Sequence, residues 1–554
     1  MQIMTKTAGL LSLLLCSVSI THAQQLRVII DSSLEKSQDE SGAQQSPLLD
    51  DYGFARRVFL DVTGRIPSES QLLEFVEDQE SQKREKLIDR LLASPEYARH
   101  MQHTFDVMFM ERLPKKHIAP EDFQEFLRDS FARNKPYSQL AYEILSADGA
   151  IPDLRPASRF LLDREIKREE TVRAIGRVFL GRDLQCAQCH NHPNVDDYLQ
   201  QHYYGVAAFL QRSYLFTDPS SKQVSIGDKI EGDVTYTSVF TGEDGETQPR
   251  ILELPEIQDP AQESEPYEVK PDSKNRGVPK YARRLQLAPA MTSIDNVAFR
   301  QNITNRIWAM LMGQGFVEPL DMFHEGNAAT HPELLAAIAD NFMLKKYDVK
   351  YLIKEIVMTR AYQRQSAMAE QQVTADSPLY LNATLKPLSP EQFAWSLLQA
   401  VGMVEKTRAS VVGQLRKEDS NFDEAAIGNA EAIEGKVNVA LKAQVQAIVQ
   451  VFSGSNAASR FDASANHALY LLNGPEVAKW LAVGEGLLVD QLLAIEDNPS
   501  LAAKAFITIY SRRPTASEKR LVAEFVTSEN SDREEAVREL VRTLLCSAEF
   551  RFNK

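Results

Sequence analysis

Two thiols and an imidazole fall within five consecutive positions, Cys186-Ala187-Gln188-Cys189-His190. This C-x-x-C-H spacing lets two sulfurs reach the two vinyl groups of one haem while the next His binds the iron. With only 4 Cys and 10 His in 554 residues, chance would place such a pentad in roughly one chain in two thousand. Covalent haem c held by Cys186, Cys189 and His190 is therefore the first expectation. Two others compete with it. Zinc or non-haem iron could use Cys186 and Cys189 with two of His190, His192 and His202, although no second C-x-x-C or H-x₃-H completes a usual zinc pattern. A Cys186–Cys189 disulfide or redox pair is the third, and it leaves the adjacent His190 without a role. The sixth iron position has no clear owner. His192 is too near in sequence to reach the opposite haem face, and His103, Met108, Met110 and His202 reach it only if the helices fold back.

A second group of chemically capable residues lies downstream: Arg306, Glu318, Asp321, His324, Glu325, His331 and Glu333. Arg306, Glu318, His324 and His331 are the candidates there for acid–base work or metal binding. A structural reading competes, with Glu333 capping a helix and Arg306 pairing with a carboxylate across a helix interface. No G-x-S-x-G, H-E-x-x-H or P-loop occurs, so hydrolase and nucleotide chemistry lack their signatures and no reaction is assigned.

The elements that must position these residues are mostly helical. Phe54, Val58 and Phe59 share a face, and Gly64-Arg65-Ile66-Pro67 ends that run. Ser68 with Gln71, Ser389 with Gln392, Thr330 with Glu333 and Thr515 with Glu518 have the spacing of capping boxes, and Ser94-Pro95 opens another helix. A helix over Glu170–Leu180 delivers the chain to the cysteines through Gly181, and a helix from about Val195 to Leu210 follows. Tyr203, Tyr204 and Phe209 in it read as core. Residues 213–285 lose helical periodicity and read as β-hairpins and a linker. The expected fold is mainly α, two helical domains separated by a small β-rich insertion. The divisions are 1–23 signal peptide, 24–46 flexible leader, 47–212 N-terminal helical domain, 213–285 insertion and 286–554 C-terminal helical domain.

Lys6, the apolar run Ala8–Ile20 and Thr21-His22-Ala23 form a secretory leader with a small-residue cleavage site. A periplasmic or secreted address is expected, and haem attachment to C-x-x-C-H and disulfide formation both suit it. No later segment reaches the roughly 18 apolar residues that a membrane span needs. The net charge of −15 disfavours nucleic acid as a partner. Cys546, in an apolar stretch, reads as a buried small hydrophobe.

Several motifs together resemble a known family. Asp61-Val62-Thr63-Gly64-Arg65-Ile66-Pro67, Leu91-Leu92-Ala93-Ser94-Pro95-Glu96-Tyr97 and Phe179-Leu180-Gly181 through His192-Pro193 are similar to the planctomycete cytochrome-associated domain of unknown function 1549. Asn305-Arg306-Ile307-Trp308, Gly315-Phe316-Val317-Glu318-Pro319, Thr330–Leu335, Thr359–Gln363, Leu472–Pro475, Ser511–Thr515 and Ser547–Phe550 resemble its usual partner, domain of unknown function 1553. The resemblance implies export and a cytochrome link, and no established reaction. Many relatives carry Asp where this chain has Asn191. The resulting expectation is an exported c-type haem protein for electron transfer or redox sensing, with a redox partner protein in the envelope. The alternatives are a secreted non-haem metal enzyme and an envelope scaffold with a Cys186–Cys189 disulfide.

Overall fold

The computed structural model describes residues 25–41, 45–192, 195–261, 264–366, 380–424, 426, 428–453, 465–527 and 532–554. The secretory leader lies outside the described residues. The chain is about 59% helical, and its strands form short two-stranded antiparallel pairs. Local signals set many helix ends as the sequence requires. Ser68, Ser389 and Thr515 each accept the backbone N–H three residues on, while Gln71, Gln392 and Glu518 reach back to complete the capping box. Ser94 caps Pro95–Met110, with Pro95 at its first position. The Thr330 box does not form. Thr330 N–H goes to the Phe316 carbonyl at 2.8 Å, and the helix Pro332–Leu344 starts after His331 without a side-chain cap.

The stretch expected to be a flexible leader contains the helix Leu26–Ser41. Leu26, Ile30 and Leu34, four residues apart, are at most 1% exposed and form one apolar stripe inside a polar sequence. The Arg27 amide donates to Glu355 at 2.9 Å, and Asp31 accepts the Arg360 amide at 2.9 Å, so both ends of the stripe are tied down. The helix expected from Val195 begins later, at Gln200, and runs to Leu210. Ribbons Ser213–Thr217/Val224–Asp228, Val234–Thr237/Asp244–Thr247 and Tyr267–Val269/Val278–Pro279 then occupy the β-rich segment.

Buried apolar side chains fall into two clusters. One gathers residues from Leu26 to Tyr362 with Tyr380 and Ile507; the other gathers Phe393 to Phe550 with Leu60 and Ile66. The cores therefore separate near residue 385, not at the β-rich segment. Helices Val297–Met312 and Val349–Val357 bury Phe299, Ile303, Trp308, Leu352 and Ile356 in the first core.

The motif Asp61–Pro67 stitches the two clusters together. The Asp61 carboxylate is 3% exposed. It accepts from Lys386 Nζ at 2.7 and 2.8 Å, Tyr362 Oη at 2.8 Å and Asn553 Nδ2 at 2.9 Å. Arg65 pairs with Glu96 at 3.0 Å and with Gln399, and the Ile66 amide donates to Ser396 Oγ at 3.3 Å. The chain's last strand, Phe552–Asn553, pairs with Lys386–Pro387 and closes this seam.

Candidate functional site

The approach to the cysteines is held from the downstream half of the chain. Helix Arg168–Ile175 widens into a π-type turn over Gly176–Leu180, which ends at Gly181 with φ +67°. A side chain at Gly181 would meet Phe323 at 2.7 Å and Asn302 Oδ1 at 2.9 Å, so the left-handed turn and the close approach both require glycine. Asn302 Nδ2 donates to the Val178 carbonyl at 2.7 Å and an Arg306 nitrogen donates to the Arg177 carbonyl at 2.6 Å. The Gly181 carbonyl accepts the Phe323 amide at 3.0 Å, and Asp183 N–H reaches the Asp321 carbonyl at 2.9 Å.

Cys186–Gln188 then form a single 3₁₀ turn, pinned by Ala187, which is 1% exposed. Gln188 O accepts Tyr204 Oη at 3.0 Å and Gln200 Nε2 at 3.4 Å. The turn leaves Cys186 and Cys189 exposed, as free thiols that are not bonded to each other. The Cys189 carbonyl accepts Val239 N–H at 3.1 Å. That contact brings the hairpin tip Val239-Phe240 over the site, and the Phe240 ring centroid lies 4.2 Å from that of His190. His190 Nδ1 is 2.6 Å from the Asn191 carbonyl. A bond there from Nδ1–H makes Nε2 the unprotonated nitrogen, the tautomer that binds a metal. Asn191 Oδ1 in turn accepts the Gln200 amide at 2.7 Å, at the first residue of helix Gln200–Leu210. An Asp would fill this helix-start position equally well.

The residues present fit a covalently attached haem in their donor chemistry. Two free, solvent-facing thiols flank an imidazole whose free Nε2 edge is not the face that Phe240 covers. Val239 and Phe240, 66% and 72% exposed, supply an apolar surface beside it. The zinc set is not assembled in this arrangement. Among the described residues, no three His, Cys, Asp or Glu side chains converge as metal ligands. His202 is 2% exposed and serves the fold. Its Nδ1 accepts the Leu199 amide at 3.4 Å, and its Nε2 lies 3.8 Å from Glu253. Burial holds its pKa below the ordinary value, against the pull of Glu253. Burial would raise the Glu253 carboxyl, but Arg182, 3.1 Å away, and its other partners bring it below the usual range. His103, Met108 and Met110 sit on helix Pro95–Met110, where Met110 is core and its Sδ faces Arg164 at 3.9 Å. None of the three is brought to the cysteines.

The second group does not form one site. Arg306 is half-buried and among the described residues pairs with no carboxylate; besides the Arg177 carbonyl it donates to Asn302 Oδ1 at 3.0 Å, and desolvation lowers its pKa. Asp321 binds Arg177, which also holds Glu111 at 2.6 Å. Glu318 accepts the Gly315 amide at 2.7 Å. His331 packs beside Phe316 and Tyr380, with its pKa lowered by burial, and Glu333 is exposed. Arg306 and Asp321 are positioning residues for the approach to Cys186. His324 joins a ring series instead, since Tyr198 stands edge-on to both His192 (5.9 Å) and His324 (5.8 Å).

Sequence reading missed Tyr198, Gln200 and Arg182. Their signal was weak, because each is a polar or aromatic residue beside the turn with no motif of its own. Tyr203, Tyr204 and Phe209 are buried as expected, and Tyr204 has the added task of holding the turn. Cys546 is half-buried at the edge of the second core, and burial pushes its thiol pKa up.

No curated protein and no solved structure matches the chain. Residues 29–214 match the family model described as a protein of unknown function (DUF1549), and residues 283–526 match a second so described (DUF1553). The Cys186–His190 turn lies in the first match, while Asn302, Arg306 and Asp321, which hold its approach, lie in the second. The two matches follow one another along the chain, DUF1549 first and DUF1553 second.

Proposed function

We propose that this protein is an exported carrier of one covalently attached haem c, bound through Cys186 and Cys189 with His190 as iron ligand. Its role in this reading is electron transfer or redox sensing in the cell envelope, exchanging electrons with a partner protein there. The observation that carries the reading is the joint geometry of the turn: two exposed free thiols and an imidazole whose Nδ1 is tied to the Asn191 carbonyl. When bound, the haem would supply one-electron chemistry. The chain's own residues hold the turn through Tyr204 and Gln200 and offer Val239 and Phe240 as an apolar flank. Among the described residues no helix is long and apolar enough to cross a membrane, which accords with a mature protein free of such a span. The two-domain division and the cytochrome association of the family belong to the same proposal.

Intact-mass measurement of protein exported from a host with haem-maturation machinery tests it. A haem-sized adduct that persists through denaturation and disappears when both Cys186 and Cys189 are replaced by serine is expected. A chain that instead gains two hydrogens on reduction carries a disulfide, and the proposal fails.

A further inference from the structure

A partly enclosed cavity of about 210 Å³ lies away from the cysteine turn, between the start of helix Pro95–Met110 and the start of helix Asn429–Phe452. Its charged and floor residues are Arg99, Arg128, Lys350, Glu431, Glu434 and Gly435. Arg99 and Glu434 cancel each other. Arg99, 1% exposed, donates to Glu434 and to the Thr63 carbonyl at 3.1 Å, and its guanidinium lies 3.8 Å from the Trp395 ring centroid. Its Nε has no hydrogen-bond partner among the described residues, although the side chain is wholly buried. An unpartnered buried donor is costly, and Arg99 is part of the cavity wall.

The other two cations are poorly matched. Lys350 Nζ reaches only the Ala132 carbonyl at 3.4 Å and the Tyr97 ring at 5.1 Å, and no carboxylate among the described residues lies within ion-pair distance of it. Burial lowers its pKa, with Asp348 only partly opposing the shift. Among the described residues Arg128 has one distant ion-pair partner, Glu125 at 3.7 Å, itself 68% exposed. Among the lining residues only Glu431 stands against these two charges, one positive charge in excess, with Glu125 and Asp348 lying outside the lining. The helix Asn429–Phe452 begins after Gly428 with no side-chain cap, so its first-turn amides add positive potential at the same mouth. The floor is open at Gly435, where an added Cβ would meet nothing within 4 Å.

We propose that this cavity binds a small oxyanion of the phosphate type, held by Lys350 and Arg128 at its rim and seated against the buried Arg99. The volume argues for an ion or its smallest esters, since pockets for drug-sized ligands start at about 300 Å³. The cavity is lined from helix Pro95–Met110, whose Ala98 belongs to the first core, and from helix Asn429–Phe452, whose Ile433 and Val437 belong to the second, so a bound anion would bridge the two helices. The site is independent of whatever the cysteine turn carries.

Calorimetric titration of the full chain with inorganic phosphate, at constant ionic strength set by chloride, tests the proposal. One saturable site is expected. Lys350→Gln and Arg128→Gln should each weaken it about tenfold or more, the worth of one charge-assisted hydrogen bond. Gly435→Asp, which places a carboxylate on the open floor, should abolish binding. Thermal melts should show phosphate raising the melting temperature of the parent chain and not of Gly435→Asp. Both rim variants leave the Arg99–Glu434 pair intact, and circular dichroism checks that they fold; if one does not, the other carries the comparison. Absence of saturable binding to the parent chain, or equal affinity in the folded variants, overturns the proposal.

Discussion

Replacing Asp61 should damage the protein more than any surface charge change, and the structure says by how much. The carboxylate is the counter-charge of Lys386, whose side chain is 13% exposed and whose other acceptors are the Met310 and Leu311 carbonyls at 3.2 and 2.6 Å. Asp61→Ala leaves that ammonium buried without its partner, which costs about 4 kcal/mol, the middle of the range for breaking a buried pair. Tyr362 Oη and Asn553 Nδ2 lose their acceptor as well. Adding Lys386→Met removes the stranded charge while keeping an apolar stem of similar length. The double variant should then retain the unpaired tyrosine and asparagine donors and the Met310 and Leu311 carbonyls that Lys386 served, neutral groups that together cost about 2 kcal/mol. The pair should therefore couple by roughly 2 kcal/mol or more, and the double variant should be more stable than Asp61→Ala alone. Urea unfolding followed by tryptophan fluorescence suits the test, because Trp308 lies in the first core and Trp395 and Trp480 in the second. If the two substitutions simply add, Asp61 is not the partner that neutralises Lys386 and the seam has been misread.

Gly64 ends helix Asp51–Thr63 at φ +72°, and a Cβ there would lie 2.5 Å from His100 Nδ1. Gly64→Ala should cost about 1 kcal/mol for the left-handed backbone and more for the clash; an unchanged melting temperature would contradict this. Burial, with Arg99 and Lys386 adding to it, pushes the His100 pKa down to about 3. The unfolded chain, near 6.5, takes up this proton first, so the stability is present above about pH 6.5 and is lost as pH falls towards 3, with about 2 kcal/mol gone by pH 5. Urea midpoints at pH 7.5 and 5 should differ less in His100→Gln than in the parent chain, and equal differences would count against this burial. Tyr204→Phe removes the 3.0 Å bond to the Gln188 carbonyl and should weaken the cysteine turn by about 1 kcal/mol. Amide exchange at residues 186–190 should then quicken about fivefold, whereas an unaltered rate would show that Gln200 alone holds the turn.

Much of the helical frame was legible because it rests on local rules. Ser68, Ser389 and Thr515 announce their helices with the residue three positions on. Thr330 did not, because its amide is committed to Phe316, a contact between segments that no local pattern encodes. The helix Leu26–Ser41 was hidden by its composition; its three buried residues, Leu26, Ile30 and Leu34, run into a polar stretch of Ser, Gln, Glu and Lys that looks like a tail until a core receives them. The separation of the buried clusters near residue 385 depends on which faces meet, which no local change of composition encodes. At the site, the two cysteines and His190 stood out by spacing. The groups that hold them, Tyr204, Gln200, Asn302 and Arg306, act through backbone carbonyls, which carry no sequence signature. Arg306 and Asp321 were visible as charged residues, but whether they meet each other or the neck of another helix is decided only by packing.

The most direct test of the haem assignment is the absorption spectrum of the denatured protein after export from a host with haem-maturation machinery. Covalent attachment through Cys186 and Cys189 requires a Soret band that stays with the chain after denaturation and acid–organic extraction, and that is lost when both cysteines are replaced by serine. A colourless chain, or colour that extracts fully into the organic phase, would contradict it.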